Sequence, residues 1–270
     1  MYKKTIKKLG QHFLNDESLL HEICYFGGVK QEEKILEIGA GEGALTKKLI
    51  QTGAKVKAIE IDNKLIPNLK KLEDRWPNLE IVSGDATKLN FKDFSTPTKI
   101  ISNLPYQIGT KIISEVCKYP EVFNLIVVMV QLEVANRITA KPGGKEYGSL
   151  TLWTQHRFEN KLLKVVPPEM FSPPPKVESA IIRLKPRKTP LVKISNYEDI
   201  YFKLIKASFA HRRKTLLNNL KNSNLSFLTN LNFEELLESV DIAKNLRAEV
   251  LTAEDFAILL KMIIKKNDEK

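Results

Sequence analysis

The stretch ILEIGAGEGAL, residues 35–45, decides which class of fold the chain can adopt. A short apolar run leads into three closely spaced glycines, and a helical pattern follows them. Glycines at such a turn remove Cβ atoms, so a ligand can lie against the backbone at the beginning of the helix. The stretch therefore predicts a strand, a ligand-binding loop and a helix in an α/β protein.

Apolar runs and helical patterns alternate on both sides of this stretch, as they do when helices connect the strands of one sheet. Several runs are continuously apolar, which is typical of buried parallel strands. The predicted strands are residues 34–38, 55–61, 79–82, 99–102, 125–130 and 177–184, and the helices between them are 44–51, 63–74, 110–119 and 131–139. We therefore expect a Rossmann-like sheet with helices on both faces.

The segment KPRKTP, residues 185–190, is typical of a linker between domains. Beyond it the apolar periodicity is helical only, over residues 200–209, 215–220, 233–239 and 253–264. The sequence thus predicts two domains, residues 1–188 and 189–270, of which the second is small and all-α.

Composition restricts the class of protein. Apolar residues make up 43% of the chain, enough for a sizeable core. The two cysteines, Cys24 and Cys117, can form neither a disulfide framework nor a zinc site, so we expect no metal and a reducing compartment. The densest apolar run, residues 125–130, is too short to cross a membrane. We expect a cytoplasmic protein and, since no apolar stripe is left unexplained, a monomer.

The charge favours polyanionic partners. Lys and Arg number 43 against 32 Asp and Glu, a formal net charge of +11. Two separate clusters can hold a nucleic-acid backbone at two places. The clusters comprise Lys3, Lys4, Lys7 and Lys8 at the N-terminus, and Arg212, Arg213 and Lys214 in the segment HRRK.

Carboxylates at the ends of the predicted strands identify the ligand. Glu60 ends the strand after the glycine loop, where a carboxylate can accept both hydroxyls of a ribose. Gly39, Gly41 and Ala44 also satisfy the loose dinucleotide fingerprint, which would indicate an oxidoreductase. Asp85, after the third strand, can accept a hydrogen bond from the exocyclic amine of an adenine.

Glu37 argues against a dinucleotide as the ligand. It lies just before the glycines and suits a cationic amino-acid group better than a pyrophosphate. Three carboxylates without a Lys or Arg in the loop are typical of a site for S-adenosylmethionine. That molecule carries a sulfonium and an ammonium group and has no phosphates. The pattern therefore favours a methyl donor over a dinucleotide.

Asn103, Leu104, Pro105 and Tyr106 end the fourth predicted strand, where the methyl acceptor would enter. An adenine N6 amine is a poor nucleophile because its lone pair is delocalised into the ring. The Asn103 side-chain oxygen and the Leu104 carbonyl can accept its two protons and direct the lone pair at the methyl group. Pro105 would fix this turn, Tyr106 would stack on the base, and Phe171 would supply the second aromatic face.

The sequence resembles the ribosomal small-subunit (16S) RNA adenine N6-dimethyltransferases, a family of Rossmann-like class I methyltransferases. The glycine loop is shared far more widely, but the other segments together are highly specific. The matching segments are GQHFLND (10–16), LEIGAGEGALT (36–46), IEID (59–62), GDA (84–86), NLPY (103–106), MVQLEVANRI (129–138), YGSL (147–150), FSPPPKVESA (171–180), FAHRRKTLLNNL (209–220) and RAEVLTAEDF (247–256).

The resemblance implies that two neighbouring adenosines in a hairpin loop of small-subunit ribosomal RNA each receive two methyl groups. The substrate would be a small-subunit precursor late in ribosome assembly, and Tyr106 and Phe171 would enclose the target base. His12 stands where many members carry Asn, and both residues can donate a hydrogen bond. The implied cofactor contacts are Gln11, His12, Leu14, Gly39, Gly41, Glu60, Asp85, Ala86 and Asn103, and the implied RNA contacts are Arg212, Arg213 and Lys214, followed by the N-terminal lysines and Arg137.

Other classes stay open to different degrees. The large-subunit RNA methyltransferases that confer macrolide resistance share the glycine loop, but YGSL and RAEVLTAEDF favour the small-subunit branch. DNA adenine and protein glutamine methyltransferases more often carry Asp-Pro-Pro-Tyr and Asn-Pro-Pro-Tyr, so Leu104 argues against both. A ribosome-assembly factor that acts mainly by binding is the alternative from another class.

Overall fold

The computed structural model describes residues 12–94, 98–194 and 197–268. The chain forms two compact units: residues up to 135 together with Glu159–Pro186 form one, and Asn136–Phe158 with the residues from Arg187 onward form the other. The predicted two-domain division at residue 188 stays a prediction. In the structure, the chain passes from the first unit to the second between Pro186 and Arg187. Residues 136–158 also belong to the second unit, because apolar side chains among them join its core.

Two sheets are present among the described residues of the first unit. Their strands are β1 (Phe13–Leu14), β2 (Lys34–Ile38), β3 (Lys55–Glu60), β4 (Leu79–Ser83), β5 (Thr98–Asn103), β6 (Phe123–Gln131), β7 (Phe158–Val166), β8 (Phe171–Ser172) and β9 (Ser179–Pro186). The large sheet has the order β4-β3-β2-β5-β6-β9-β7, and β1 pairs with β8 in a small one. Neighbours from β4 to β6 are parallel, whereas β9 runs antiparallel to β6. This mostly parallel sheet confirms the predicted α/β fold class.

The direction of β9 determines which residues meet at the edge of the sheet. The carboxyl ends of parallel strands share one edge, and ligands bind outside it. Because β9 is antiparallel, it brings its first residue, Ser179, to the same edge, opposite Gln131 at the end of β6.

Helices connect and cover the strands. They are α1 (Glu17–Gly27), α2 (Ala44–Gln51), α3 (Ile66–Glu73), α4 (Tyr106–Val116), α5 (Leu132–Thr139), α6 (Ser149–Arg157), α7 (Glu198–Ser208), α8 (Leu216–Lys221), α9 (Phe233–Glu238) and α10 (Ala253–Asp268). The side chain of Asp16 accepts the Leu19 N–H at 2.7 Å and begins α1. Gly28, with φ 49°, ends it in the left-handed conformation. No helix in the described ranges is both long and apolar enough to cross a bilayer.

Each unit has its own apolar core. In the first unit, the strands pack against α1 and α2, with Ile101 and Val127 fully buried. In the second unit, α7 and α10 pack together, and the buried Tyr201 hydroxyl donates to the Ala253 carbonyl at 2.9 Å. Between Arg187 and residue 268, the described residues contain helices and no strand, as predicted for the C-terminal region.

The main differences from the sequence predictions concern α4, β7 and α6. The helix predicted over residues 110–119 is α4, which spans Tyr106–Val116 and has Pro105 at its N-cap position. The strand β7 was not predicted because it lies at the edge of the sheet, where its apolar residues do not alternate with polar ones and most of its side chains are at least partly exposed. The helix α6 was not predicted because buried Thr151 and Thr154 interrupt its apolar pattern, each donating its hydroxyl to a backbone carbonyl.

Candidate active site

The glycine loop after β2 is attached to β3 through its backbone. The N–H groups of Gly39 and Ala40 donate to the Ile59 carbonyl at 2.7 and 3.2 Å. Gly39 has φ 81°, and a Cβ added there would lie 2.9 Å from the ring atoms Cδ and Cγ of Pro105. Glycine is therefore required at this position, because a side chain would displace the Asn103–Tyr106 segment from the loop.

Glu60 organises the backbone around the loop. Its buried carboxylate accepts the N–H of Gly41 on Oε2 at 2.8 Å and those of Ile61 and Asp62 on Oε1, each at 2.9 Å. A carboxylate has about four lone-pair sites. By this count one site on Oε2 stays open, and the predicted contact of Glu60 with the two ribose hydroxyls stays a prediction.

Asp85 follows β4 and caps a short 3₁₀ turn, Ala86–Lys88. Its Oδ1 accepts the N–H and the hydroxyl of Thr87 at 2.9 and 2.8 Å. These hydrogen bonds, the hydroxyl's first, lower the pKa of Asp85 and keep it ionised. Within the described ranges Oδ2 has no hydrogen-bond partner, so it is free to accept an amine.

Glu37 lies near the end of β2 and is 1% exposed. The Thr46 hydroxyl donates to its Oε2 at 2.6 Å. Burial raises the pKa of Glu37 to about 8; the Thr46 hydrogen bond opposes this effect, and the charge of Glu60 adds to it. A cationic group beside Glu37 favours its ionised form, since opposite charges attract strongly where water is excluded.

These carboxylates line a cavity of about 320 Å³ at the carboxyl edge of the sheet. The cavity also contains Leu14, Gly41, Ala86 and Asn103, and its described lining includes no Lys or Arg. The cavity is lined by four carboxyl groups, those of Glu37, Glu42, Glu60 and Asp85. Without a cation among them, they fit the sulfonium, ammonium, ribose and adenine of S-adenosylmethionine. They do not fit the pyrophosphate of a dinucleotide, which favours cationic partners and free backbone N–H groups.

Asn103 ends β5 opposite Met129, and the Leu104 N–H donates to the Met129 carbonyl at 3.1 Å. Leu104 is buried, and Pro105 then turns the chain into α4. No hydrogen bond among the described residues uses the Asn103 side-chain amide or the Leu104 carbonyl. The strand thus presents two acceptors beside the cavity, where both residues line the wall.

Two aromatic side chains at this wall, Tyr106 and His12, form hydrogen bonds with the segment that follows β7. The hydroxyl of Tyr106 lies 2.5 Å from Oγ of Ser179. His12 Nδ1 lies 2.7 Å from the Pro173 carbonyl, and because a carbonyl only accepts, Nδ1 carries the proton. The two rings lie 5.9 Å apart, with 30° between their planes.

Phe171 does not line this cavity. It pairs with Leu14 in the small sheet and is 4% exposed within the apolar core. Its predicted stacking on the target base stays a prediction, and it requires the ring to gain exposure when a base arrives.

Gln11 and the predicted RNA contacts fall either outside the described residues or in the second unit. Gln11 and the N-terminal lysines fall outside the described residues. In the second unit, Arg212 donates to the carbonyls of Tyr147 and Lys145 at 3.0 and 2.5 Å and pairs with Glu249 at 3.0 Å. Arg213 and Lys214 are exposed and without an ion pair in the described ranges, whereas Arg137 is half-buried. Arg212 thus differs from Arg213 and Lys214, because its guanidinium is already bound by groups of the protein itself.

Sequence reasoning missed Ser179 and Thr46. Each stands inside a matching segment, FSPPPKVESA and LEIGAGEGALT, but a buried hydroxyl has no sequence pattern of its own. Only the tertiary contacts to Tyr106 and Glu37 show what these residues hold. No cluster of three metal-binding side chains is present in the described part of the chain.

The sheet order, the glycine loop and the carboxylate-lined cavity together define a class I methyltransferase. The family model described as ribosomal RNA adenine dimethylase matches residues 2–265, and the chain belongs to this family.

Individual relatives agree over almost their whole length. The "Ribosomal RNA small subunit methyltransferase A" of Alkaliphilus oremlandii is 38% identical, over 97% of this chain and 93% of its own. The protein with the same name from Streptococcus mutans is 40% identical, over 94% and 90%. The crystal structure of a dimethyladenosine transferase from Plasmodium falciparum has a TM-score of 0.78 and 31% identity, with 95% and 98% covered.

Proposed function

We propose that this enzyme transfers methyl groups from S-adenosylmethionine to the N6 atoms of adenosines in small-subunit ribosomal RNA. Two neighbouring adenosines of a hairpin loop each become N6,N6-dimethyladenosine, late in assembly of the small subunit. The observation that carries this function is the pair of open acceptors, the Asn103 side chain and the Leu104 carbonyl, beside the carboxylate-lined cavity.

The donor site is built from strand ends. Glu37 faces the ammonium group, Oε2 of Glu60 accepts a ribose hydroxyl, and Oδ2 of Asp85 accepts the adenine amine. The glycine loop allows the ligand to lie against the backbone. The remaining contacts come from Gln11, His12, Leu14, Gly39, Gly41, Ala86 and Asn103.

The acceptor site orients a weak nucleophile. When bound, S-adenosylmethionine supplies a methyl group activated by its sulfonium. The two open oxygens accept the N–H groups of the adenine and leave its nitrogen lone pair pointing at that methyl group. Neither oxygen is a base near neutral pH, so the proton that N6 loses passes to water. A monomethylated amine keeps one N–H, and one of the two oxygens is enough to orient it for the second transfer.

The base is held by stacking between Tyr106 and Phe171, which suits a loop adenine that is not paired. Arg213, Lys214 and Arg137, the N-terminal lysines and the remaining donors of Arg212 contact the flanking phosphates. The enzyme acts as a cytoplasmic monomer, without a membrane, on a precursor of the small subunit. The relatives are named for the small subunit, which supports this substrate over the large subunit.

The test is methyl transfer from labelled S-adenosylmethionine to undermethylated small subunits, with large-subunit RNA, DNA and free adenosine in parallel. Label on small subunits alone, recovered as N6,N6-dimethyladenosine, is the expected result. Label on large-subunit RNA would move the enzyme to the resistance branch. Tight binding to small subunits without transfer of any label would contradict the proposed methyl transfer and indicate a protein that acts by binding.

A further inference from the structure

The Tyr106 hydroxyl is fixed by a buried serine on a distant strand. Ser179 and Tyr106 are 73 residues apart, yet their oxygen atoms are separated by 2.5 Å. Ser179 is fully buried, while Tyr106 is half-buried and lines the cavity. Burial raises the pKa of the Tyr106 phenol, so both groups remain neutral hydroxyls that share one hydrogen bond.

This contact arises from the topology of the sheet. Tyr106 begins α4, one turn of chain beyond the end of β5. The antiparallel strand β9 starts at the same edge, so its first side chain reaches the tyrosine from the other side of β6. A parallel strand would bring its last residue there instead.

We propose that Ser179 is a positioning residue, which sets the plane of the Tyr106 ring for stacking on the target adenine. This inference rests on the proposed function. A tyrosine side chain at the beginning of a helix can rotate about two bonds, and stacking demands one plane. Anchoring the hydroxyl leaves the ring close to a single orientation, which spares the cost of ordering it when the base arrives.

The neighbouring histidine has an equivalent attachment. His12 is held through Nδ1 by the Pro173 carbonyl and lies 5.9 Å from the Tyr106 ring. Both attachments come from the segment FSPPPKVESA, residues 171–180. The segment thus fixes the tyrosine and the residue beside it before any substrate binds.

The experiment compares Ser179→Ala, Tyr106→Phe and the double variant in the full-length enzyme, with undermethylated small subunits as substrate. Each single variant should lower kcat/KM for subunits by roughly threefold to tenfold, the range of one net hydrogen bond. The double variant should be no worse than either, since both single changes remove the same bond. Affinity for S-adenosylmethionine should stay at the wild-type value.

Ser208→Ala is the matched control, because Ser208 is also fully buried and donates one hydrogen bond, to the Leu204 carbonyl in α7. It should lower the melting temperature without changing kcat/KM relative to the wild type. Wild-type kcat/KM in Ser179→Ala, additive losses in the double variant, or a parallel loss of donor affinity would each overturn the positioning role. Failure of the wild-type enzyme to label any RNA would instead overturn the proposed function.

Discussion

The Thr46 hydroxyl donates a 2.6 Å hydrogen bond to Oε2 of Glu37, and both side chains are almost completely shielded from water. The glycine loop connects the strand that carries Glu37 to the helix that carries Thr46. The protein therefore keeps a carboxyl group of raised pKa inside its donor site, held by a neutral partner.

This burial makes stability depend on pH. The pKa of Glu37 is about 8 in the folded protein, against 4.5 for a freely solvated group. Between these values the unfolded chain has lost the proton that the folded chain keeps, so the free energy of unfolding should fall as pH rises. The contribution of this one group has a slope of at most about 1.4 kcal/mol per pH unit.

Glu37→Gln should remove this contribution. Urea unfolding of both proteins from pH 5 to 8, without S-adenosylmethionine, measures the difference. The stability of the wild type relative to the variant should decrease steadily over that window. A constant difference would show that Glu37 is ionised in the free protein.

Asn103→Ala should strongly slow the first methyl transfer while small-subunit binding persists. The variant loses one of the two acceptors that orient the adenine amine, and the loss of one such group costs about 100-fold or more in rate. Single-turnover transfer and subunit binding should be measured side by side. Asn103→Asp keeps an acceptor oxygen and is the matched control; transfer by Asn103→Ala near the wild-type rate would contradict the acceptor role.

Gly39→Ala should destabilise the protein and reduce donor affinity. An alanine at this position would be strained by the positive φ, and its methyl group would lie only 2.9 Å from the Pro105 ring. Gly143→Ala is a close control, because Gly143 has the same φ of 81° but nothing within 4 Å of an added Cβ. The control should cost about 1 kcal/mol of unfolding free energy and Gly39→Ala distinctly more. Equal losses of unfolding free energy in the two variants, measured by chemical unfolding, would show that Pro105 moves away from the added methyl group at little cost.

Substitution of Arg212 should affect mainly stability, whereas substitution of its neighbours Arg213 and Lys214 should affect mainly RNA binding. Arg212→Gln removes hydrogen bonds to two carbonyls and a half-exposed ion pair, so we expect a loss of about 1 kcal/mol, seen as a lower melting temperature. Arg213→Gln and Lys214→Gln should leave the melting temperature unchanged and weaken RNA binding.

Salt titration gives the second half of that test. The slope of log affinity against log salt should decrease by about 1 for each phosphate that a variant no longer neutralises. Lys261→Gln removes one exposed charge from α10 in the same unit and should leave the slope unchanged. An unchanged slope for Arg213→Gln and Lys214→Gln would mean that these residues do not bind phosphates.

Much of the fold and part of the site follow from local sequence patterns. Buried parallel strands read as apolar runs, and Asp16 and Gly28 bound α1 through caps that act within a few residues. The strand β7 and the helix α6 were missed because an edge position and buried threonines remove the apolar periodicity on which such predictions depend.

The sequence by itself determined the glycine loop, the carboxylates that follow the strands and the Asn103–Tyr106 motif, because each requires a residue type at a fixed local spacing. Only the tertiary structure decided how they are satisfied. Backbone N–H groups occupy most of Glu60, Arg212 is bound within its own unit, and Phe171 is buried in the core. Ser179 reaches Tyr106 because an antiparallel strand begins at the edge where the parallel strands end, and no local pattern encodes that meeting.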